Sequence, residues 1–175
     1  MEQYQRQESG FRLYFNQVKQ MRRTDREITD LAAIQKFIQQ ESIIRIGFYD
    51  EGDIYIVPVN YGYVFENDKH VFYFHGAKAG RKFELTKSTP TVGFEIDGNY
   101  KLLEADIACD FSAKFQSVIG TGKLSLVDDF EEKVKGLNLL MKQSTGKGSW
   151  EYEGKMIDGI AVFKLEAEKL SCKAK

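Results

Sequence analysis

The sequence lacks several features that mark particular classes of protein. None of its 175 residues belongs to an apolar run that approaches the length of a membrane span. The formal net charge is -1, so the chain has no basic field of the kind that attracts nucleic acids. The polar start, MEQYQRQESG, has no apolar segment like that of a signal peptide. We therefore expect a cytoplasmic protein with no membrane or nucleic-acid partner.

Cysteine and histidine are scarce. Cys109 and Cys172 are too few for a disulfide framework and are typical of a reducing compartment. Even with His70 and His75, they cannot form a typical four-ligand zinc site without help from carboxylates, so we predict no metal. The chain also has no phosphate-loop motif, no dinucleotide-binding glycine motif and no serine nucleophile motif.

The length fits one domain. Residues 1–20 are rich in Gln, Arg and Tyr without a clear period, and we interpret them as an N-terminal extension. A short docked helix and a mobile arm are equally compatible with that extension. Residues 21–175 form the predicted domain.

Within this domain, residues that alternate between apolar and polar predict strands, and three segments predict helices. Thr24 and Glu27 form a capping box, which predicts that a first helix begins there. A second helix is predicted within 77–88, before Pro90, and a third begins at Asp128. The predicted strands are residues 42–50, 54–65, 70–75, 91–97, 113–127 and 160–171.

Two features of these strands indicate a curved antiparallel sheet. Pro58 cannot donate to a strand ladder, so it predicts an edge position or a bulge. Gly120 and Gly122 predict a strong bend or bulge in the fifth strand. We therefore predict a mainly β fold, a small closed or split six-stranded antiparallel barrel with helices packed over it.

The stretch YFHGAKAGRKFEL, residues 73–85, carries the candidate site. A strand ends at His75, Gly76 allows close approach to the backbone, and a helix start with free N–H groups follows. Arg81 and Lys82 stand near that start, where both can reach a dianionic phosphate. This pattern is typical of an anion site.

A structural interpretation of the same stretch stays open. Arg81 and Lys82 could be solvated helix residues that pair with Glu84, and His75 could be a structural residue.

The acidic run DDFEE, residues 128–132, is interpreted as a helix cap and not as a metal or acid–base site.

Three motifs, one of them within the stretch 73–85, narrow the choice of protein family. They are PVNYGY at 58–63, YFHGAKAGRK at 73–82 and FQSVIGTG at 115–122. These motifs resemble the nitroimidazole resistance proteins, a family of FMN-binding split barrels related to pyridoxamine 5'-phosphate oxidase. MRRTDREITD, LNLLMKQSTGK and AVFKLEAEKLSCK are similar to that family too, so the resemblance covers 21–175.

The resemblance implies a six-stranded split barrel that forms a homodimer and binds FMN in a groove between subunits. It places the flavin phosphate on Arg81 and Lys82, and it assigns His75 to substrate orientation or proton donation. The flavin ring would lie along the second strand, and Ser117 would face the groove from the partner chain. The residues implied to bind FMN are Pro58, Val59, Asn60, Tyr61, Phe74, His75, Gly76, Arg81, Lys82 and Ser117.

The chain departs from pyridoxamine phosphate oxidases in the charges that bind the substrate phosphate. Those enzymes are basic along the second strand and rich in arginine at the C-terminal end. Here the strand contains IVPVN at 56–60, and the end, KLEAEKLSCKAK at 164–175, has no arginine. This composition argues against oxidation of vitamin B6.

The leading hypothesis is an FMN-dependent oxidoreductase of the nitroimidazole-reductase type, which reduces a small nitroaromatic or quinone-like acceptor. A second hypothesis is a flavin- or haem-binding split barrel without nitroreductase turnover, in which haem would have to use His70 or His75. A third is a barrel without a cofactor that serves as an assembly module.

Overall fold

A computed structural model describes residues 23–175. Residues 1–22, which include the predicted extension, lie outside the described residues. In chain order the elements are β1 Glu27–Ile28, α1 Leu31–Gln40, β2 Ile43–Asp50, β3 Asp53–Asn60, β4 Gly62–Glu66, β5 Lys69–Ala77, α2 Arg81–Ser88, β6 Thr91–Leu103, β7 Ser112–Val127, α3 Phe130–Thr145, α4 Gly154–Asp158 and β8 Ile160–Ala174. Within 23–175, no helix is long and apolar enough to cross a membrane.

The strands form one antiparallel sheet in the order β3-β2-β6-β7-β8-β5-β4, and β1 pairs with the end of β8. β3 and β4 follow each other in the chain but lie at opposite ends of this order. The sheet therefore curls without closing, and the predicted antiparallel split barrel is confirmed. The strand count differs, since the structure has eight strands where six were predicted.

Two apolar cores hold the elements in place. The larger one lies on the inner face of the sheet, where side chains such as Ile46, Phe72 and Phe163 are fully buried. Ile38 of α1 is part of it. The smaller core lies on the other face of β5 and β8, where Tyr73 packs with residues of α3 and α4. β5 is therefore covered on both faces, which fixes the position of its C-terminal end.

The first predicted helix start is wrong. α1 begins at Leu31, because the Asp30 side chain caps it by accepting a hydrogen bond of 2.8 Å from the Ala33 N–H. Thr24 instead begins a short 3-10 turn without a cap, and Ile28 pairs with Cys172 at the end of β8. α3 also begins one residue later than predicted, because Asp129 caps it by accepting a hydrogen bond from the Glu132 N–H.

The long second strand predicted over 54–65 is two strands, β3 and β4, separated at Tyr61. The Tyr61 ring is fully buried, and its hydroxyl donates to the Ile38 carbonyl at 2.6 Å. At Gly62, where β4 begins, a Cβ atom would collide with the backbone of Leu140, so the close contact between β4 and α3 requires a glycine. The predicted edge position of Pro58 is confirmed, because β3 ends the sheet.

The predicted bulge in the fifth strand is also confirmed. The pairing of β7 with β8 shifts register between Thr121 and Gly122. A Cβ atom on Gly122 would collide with the Glu166 carbonyl of β8, so this position requires a glycine.

Candidate active site

The candidate site lies at the junction between β5 and α2, residues 75–82, called here the β5–α2 junction. Gly80 precedes the helix with φ +95°, a conformation that favours glycine. The first helical bond runs from Glu84 N–H to the Gly80 carbonyl, and no side chain caps the helix. The N–H groups of the first turn are therefore available to a ligand, and the positive end of the helix dipole favours an anion there.

Lys82 brings a positive charge to this junction. Its ammonium nitrogen lies 5.3 Å from the centre of the Phe74 ring and 5.0 Å from that of Phe163. A Cβ atom on Gly76 would lie 2.9 Å from the Lys82 nitrogen, so glycine leaves the space that the ammonium occupies. Burial lowers the pKa of Lys82. No carboxylate of residues 23–175 lies within 4.0 Å of this nitrogen.

Arg81 is bound differently from its neighbour. Its Nε and Nη2 atoms each lie 2.6 Å from Asp50 Oδ2 at the end of β2. Its guanidinium also lies 4.7 Å from the centre of the Tyr55 ring of β3. The open structural interpretation paired both basic residues with Glu84, but Glu84 pairs with Lys87 instead. Of the two basic residues, Lys82 is the one without a counter-charge among residues 23–175.

His75 lies at the end of β5, opposite Val162 of β8. The residue is exposed, and no side-chain hydrogen bond holds its ring within the described part of the chain. Its pKa is lowered, first by partial desolvation and then by the positive charge of Lys82. The lowered pKa favours the neutral imidazole, which can accept a proton. His70, in contrast, is held by a 2.8 Å hydrogen bond between Nδ1 and the Tyr63 hydroxyl.

Three of the predicted flavin-binding residues turn their side chains towards the protein interior. Phe74 and Tyr61 are fully buried, and Val59 packs against the larger core. They can offer only backbone groups to a ligand on the surface. Pro58 and Asn60 are exposed on the outer face of β3, and the Asn60 amide donates to the Ser42 carbonyl at 3.1 Å.

Ser117 lies apart from the β5–α2 junction. It is on the outer face of β7, between Asp97 of β6 and Lys173 of β8 in the sheet pairing. Its proposed role requires a second chain, so it stays a prediction. Within one chain, the structure brings together His75, Gly76, Arg81 and Lys82.

The residues that hold the basic pair were not predicted from the sequence. Asp50, Tyr55 and Phe163 lie in predicted strands, and none of them was assigned to the site. Asp50 and Arg81 are 31 positions apart in the chain, so no local spacing could have revealed the pair.

Comparison with known proteins identifies the family. The family model for pyridoxamine 5'-phosphate oxidase matches residues 30–174, and the chain belongs to that family. No curated protein matches the chain.

Solved structures extend the comparison. A Bacteroides thetaiotaomicron protein proposed as a 5-nitroimidazole antibiotic resistance protein is 28% identical, with a TM-score of 0.73 over 85% of this chain and 86% of that one. The flavocytochrome Anf3 of Azotobacter vinelandii is 21% identical, with a TM-score of 0.73 over 91% of this chain and 74% of that one. A FAD- and haem-binding protein of Mycobacterium smegmatis is 12% identical, with a TM-score of 0.74 over 86% and 73%. The first supports the resemblance to nitroimidazole resistance proteins, and the other two share the fold.

Proposed function

We propose that this protein is an FMN-dependent oxidoreductase of the nitroimidazole-reductase type, which reduces a small nitroaromatic or quinone-like acceptor. The observation that carries the proposal is the Lys82 ammonium, which is half-buried, lacks a carboxylate within residues 23–175 and lies beside an uncapped helix start. The likeness to a protein proposed to act in 5-nitroimidazole resistance supports the choice of acceptor.

The donors at the β5–α2 junction fit a phosphate monoester. The first turn of α2 supplies backbone N–H groups, and Lys82 supplies a charge that nothing in the described chain neutralises. Arg81 keeps part of its guanidinium edge free, since Asp50 takes only Nε and Nη2. Gly76 keeps the approach to the Lys82 nitrogen open on the side of β5. We infer that Lys82 makes the direct ionic contact with the phosphate of FMN.

His75 would orient the electron acceptor or give it a proton. A bound flavin, once reduced, supplies a hydride, and reduction of a nitro group also requires protons. The His75 ring is exposed and has no partner in the described chain, so it is free to orient the acceptor or to give it a proton. If His75→Ala kept full turnover with FMN bound, this role would be excluded.

A homodimer with the flavin at its interface is part of the proposal. The outer face of β2 and β3 exposes large apolar side chains, namely Ile43, Tyr49, Ile54 and Ile56. Arg45 lies among them and pairs with Glu95 and Asp97 of β6, and Ile119 of β7 is exposed beyond β6. Ile54 and Ile56 are exposed by 67% and 61%. Such a patch is typical of an interface. Pro58, Asn60 and Ser117 lie on the same outer face, where a second chain could bring them to a shared groove.

The test is an absorbance spectrum of the purified protein, repeated during titration with FMN and with riboflavin. We expect one FMN per chain, and we expect Arg81→Gln/Lys82→Met to weaken FMN far more than riboflavin, which has no phosphate. Each lost charge-assisted bond should cost about 1.5–3 kcal/mol. Equal losses for both flavins would contradict the phosphate assignment, and a protein that binds no flavin would contradict the function.

A second candidate is a flavin- or haem-binding protein without turnover. The observation in its favour is that His75 is an exposed imidazole, whereas His70 is held by Tyr63. An absorption band of ligated haem that is lost in His75→Ala would favour this candidate.

A further inference from the structure

His75 and Lys82 lie on the two faces of the same strand end. Neighbouring side chains of a strand point to opposite faces, so the His75 ring and the space above Gly76 lie on different sides of β5. The Lys82 nitrogen occupies the Gly76 side, 2.9 Å from where a Cβ atom would be. The two groups are not hydrogen-bonded, but the positive charge of Lys82 acts on His75 through space.

The other charged groups around His75 are compensated or exposed. Arg81 of α2 is bound to Asp50. On β8, Lys164 lies 2.8 Å from Glu132 of α3, which neutralises it.

On α4, which packs against β8, the two charged residues are Lys155 and Asp158, and both are exposed to solvent. Of these charges, that of Lys82 lowers the pKa of His75, after desolvation, and its nitrogen lies beside Gly76, the next residue of the strand.

We propose that Lys82 couples anion binding to proton uptake by His75. Desolvation first, and the field of the Lys82 ammonium second, favour the neutral form of His75. An anion that binds at Lys82 cancels the second of these effects, so the proton affinity of His75 rises and the ring takes up a proton at a higher pH than it does without the anion. This inference rests on the proposed phosphate site and assigns Lys82 a second task there.

The coupling would order the events at the site. The proton affinity of His75 would be higher when the phosphate of the flavin is in place, so a larger fraction of the protein would carry this proton when the acceptor needs it. By reciprocity, the same phosphate would bind more tightly to the form of the protein in which His75 is protonated. Binding of sulfate, which remains a dianion, should therefore tighten as the pH falls through the range in which His75 titrates. FMN should show the same effect only above about pH 6, where its phosphate begins to take up a proton of its own, and riboflavin should not show it.

The chain allows a direct measurement, because His70 and His75 are its only histidines. Their ring resonances can be followed by NMR between about pH 5 and 9, with His70→Gln to assign them. Sulfate is a suitable first anion, since it remains a dianion throughout this range, and sodium chloride at equal ionic strength is its control. We expect sulfate to raise the pKa of His75 by about 0.5–1 unit and to leave that of His70 unchanged.

Lys82→Met tests the coupling without any ligand, because methionine can still pack on Phe74 and Phe163. In this variant the pKa of His75 should already be raised, and sulfate should have no further effect. Lys87→Met is the matched control, since Lys87 is on the same helix, lies 4.0 Å over the Phe83 ring and is paired with Glu84. A Lys82→Met protein with an unchanged His75 titration would overturn the inference.

FMN and riboflavin separate this inference from the proposed function. If FMN binds and shifts His75 but riboflavin binds without a shift, both are supported. If FMN binds and the titration of His75 does not move, the coupling is wrong and the flavin site stands. If no flavin and no sulfate bind, both are wrong.

Discussion

Two lysines of this protein lie half-buried over aromatic rings, and they differ in whether a counter-charge is present. Lys82 lies 5.3 Å from the centre of the Phe74 ring, and no carboxylate of residues 23–175 pairs with it. Lys164 lies 6.0 Å from the centre of the Tyr73 ring and 2.8 Å from Glu132 Oε1. The Tyr73 hydroxyl also donates to this oxygen, at 3.0 Å. We call Tyr73, Glu132 and Lys164 the Glu132 network.

The two environments shift the pKa values of the two lysines in opposite directions. Hydrogen bonding to Glu132 raises the pKa of Lys164, and the same bond lowers the pKa of Glu132. Desolvation lowers the pKa of Lys82. A buried charge stabilises a fold only when a partner offsets its loss of hydration. The Glu132 network therefore serves the fold by joining α3 to β5 and β8, whereas Lys82 carries a charge that a ligand can compensate.

Removal of the shared carboxylate should have the largest effect on stability. In Glu132→Gln, Lys164 loses its counter-charge and Tyr73 loses a charged acceptor. Hydrogen bonds to charged groups contribute about 1.5–3 kcal/mol, but the Lys164 and Glu132 side chains remain 22% and 34% exposed, so water screens part of this. We expect a loss of about 1–2 kcal/mol in urea unfolding, with an unchanged m-value.

Glu131→Gln is the control for this prediction. Glu131 lies in the same first turn of α3, where it contributes equally to the helix dipole, but it is exposed. Equal losses in the two variants would show that the dipole, and not the network, is responsible.

The two lysines should respond with opposite sign when each is replaced by methionine. Lys164→Met leaves the Glu132 carboxylate without its cation, and we expect a loss of about 1 kcal/mol. Lys82→Met removes a desolvated charge that has no partner, so stability without ligand should be unchanged or slightly raised. Thermal unfolding of both variants decides this. A marked loss of stability in Lys82→Met would mean that its packing on Phe74 and Phe163 outweighs the cost of the charge.

This contrast could not be predicted from the sequence. Alternation and turn residues located most strands, because the inner core requires an apolar residue at every second position. The sequence places Lys82 beside Arg81 at a helix start and Lys164 within a strand, but it does not show which of the two lysines has a carboxylate partner. Glu132 is 32 positions from Lys164, and only the pairing of β8 beside α3 brings it there.

Errors at element boundaries have a similar cause. Thr24 and Asp30 are both acceptable helix caps in sequence, and the pairing of Ile28 with Cys172 decided between them. The break at Tyr61 reflects its hydroxyl bond to Ile38, a contact between distant parts of the chain. Sequence reasoning located the junction with His75, Gly76, Arg81 and Lys82. It could not show that Asp50 neutralises one of the two basic residues.

Alkaline pH should sharpen the comparison between the lysines. The raised pKa of Lys164 means that its contribution to stability is complete below the unfolded value of about 10.4 and is lost as the pH rises through the folded value. The lowered pKa of Lys82 has the opposite sign, because the folded protein releases this proton before the unfolded chain does. Its unfavourable contribution therefore fades as the pH rises.

Urea unfolding of three proteins between about pH 8 and 11.5 tests this sign difference, because the Lys164 contribution is lost only above about pH 10.4. The Lys82 contribution to wild-type stability rises with pH, so the stability of Lys82→Met relative to the wild type should fall as the pH rises. The Lys164 contribution falls with pH, so the stability of Lys164→Met relative to the wild type should rise. The tyrosines titrate in all three proteins, so they cancel in the differences. Parallel pH curves for the two variants would contradict the contrast.

The smallest effect is expected at the Arg81–Asp50 pair, which is compensated like Lys164 but more exposed. The Arg81 side chain is 48% exposed and that of Asp50 is 25% exposed. Exposed ion pairs contribute about 0–1 kcal/mol, because water and side-chain entropy offset most of the attraction. A double-mutant cycle of Arg81→Gln and Asp50→Asn should give a coupling free energy in this range, smaller in high salt. Asp53→Asn, opposite Asp50 in the β2–β3 hairpin, is the control and should show no coupling to Arg81. A coupling of more than about 2 kcal/mol would place Arg81 with Lys164 as a residue that stabilises the fold. A weak coupling would leave the Arg81 side chain able to exchange Asp50 for a phosphate. Its proposed role beside Lys82 in binding the flavin phosphate requires such an exchange.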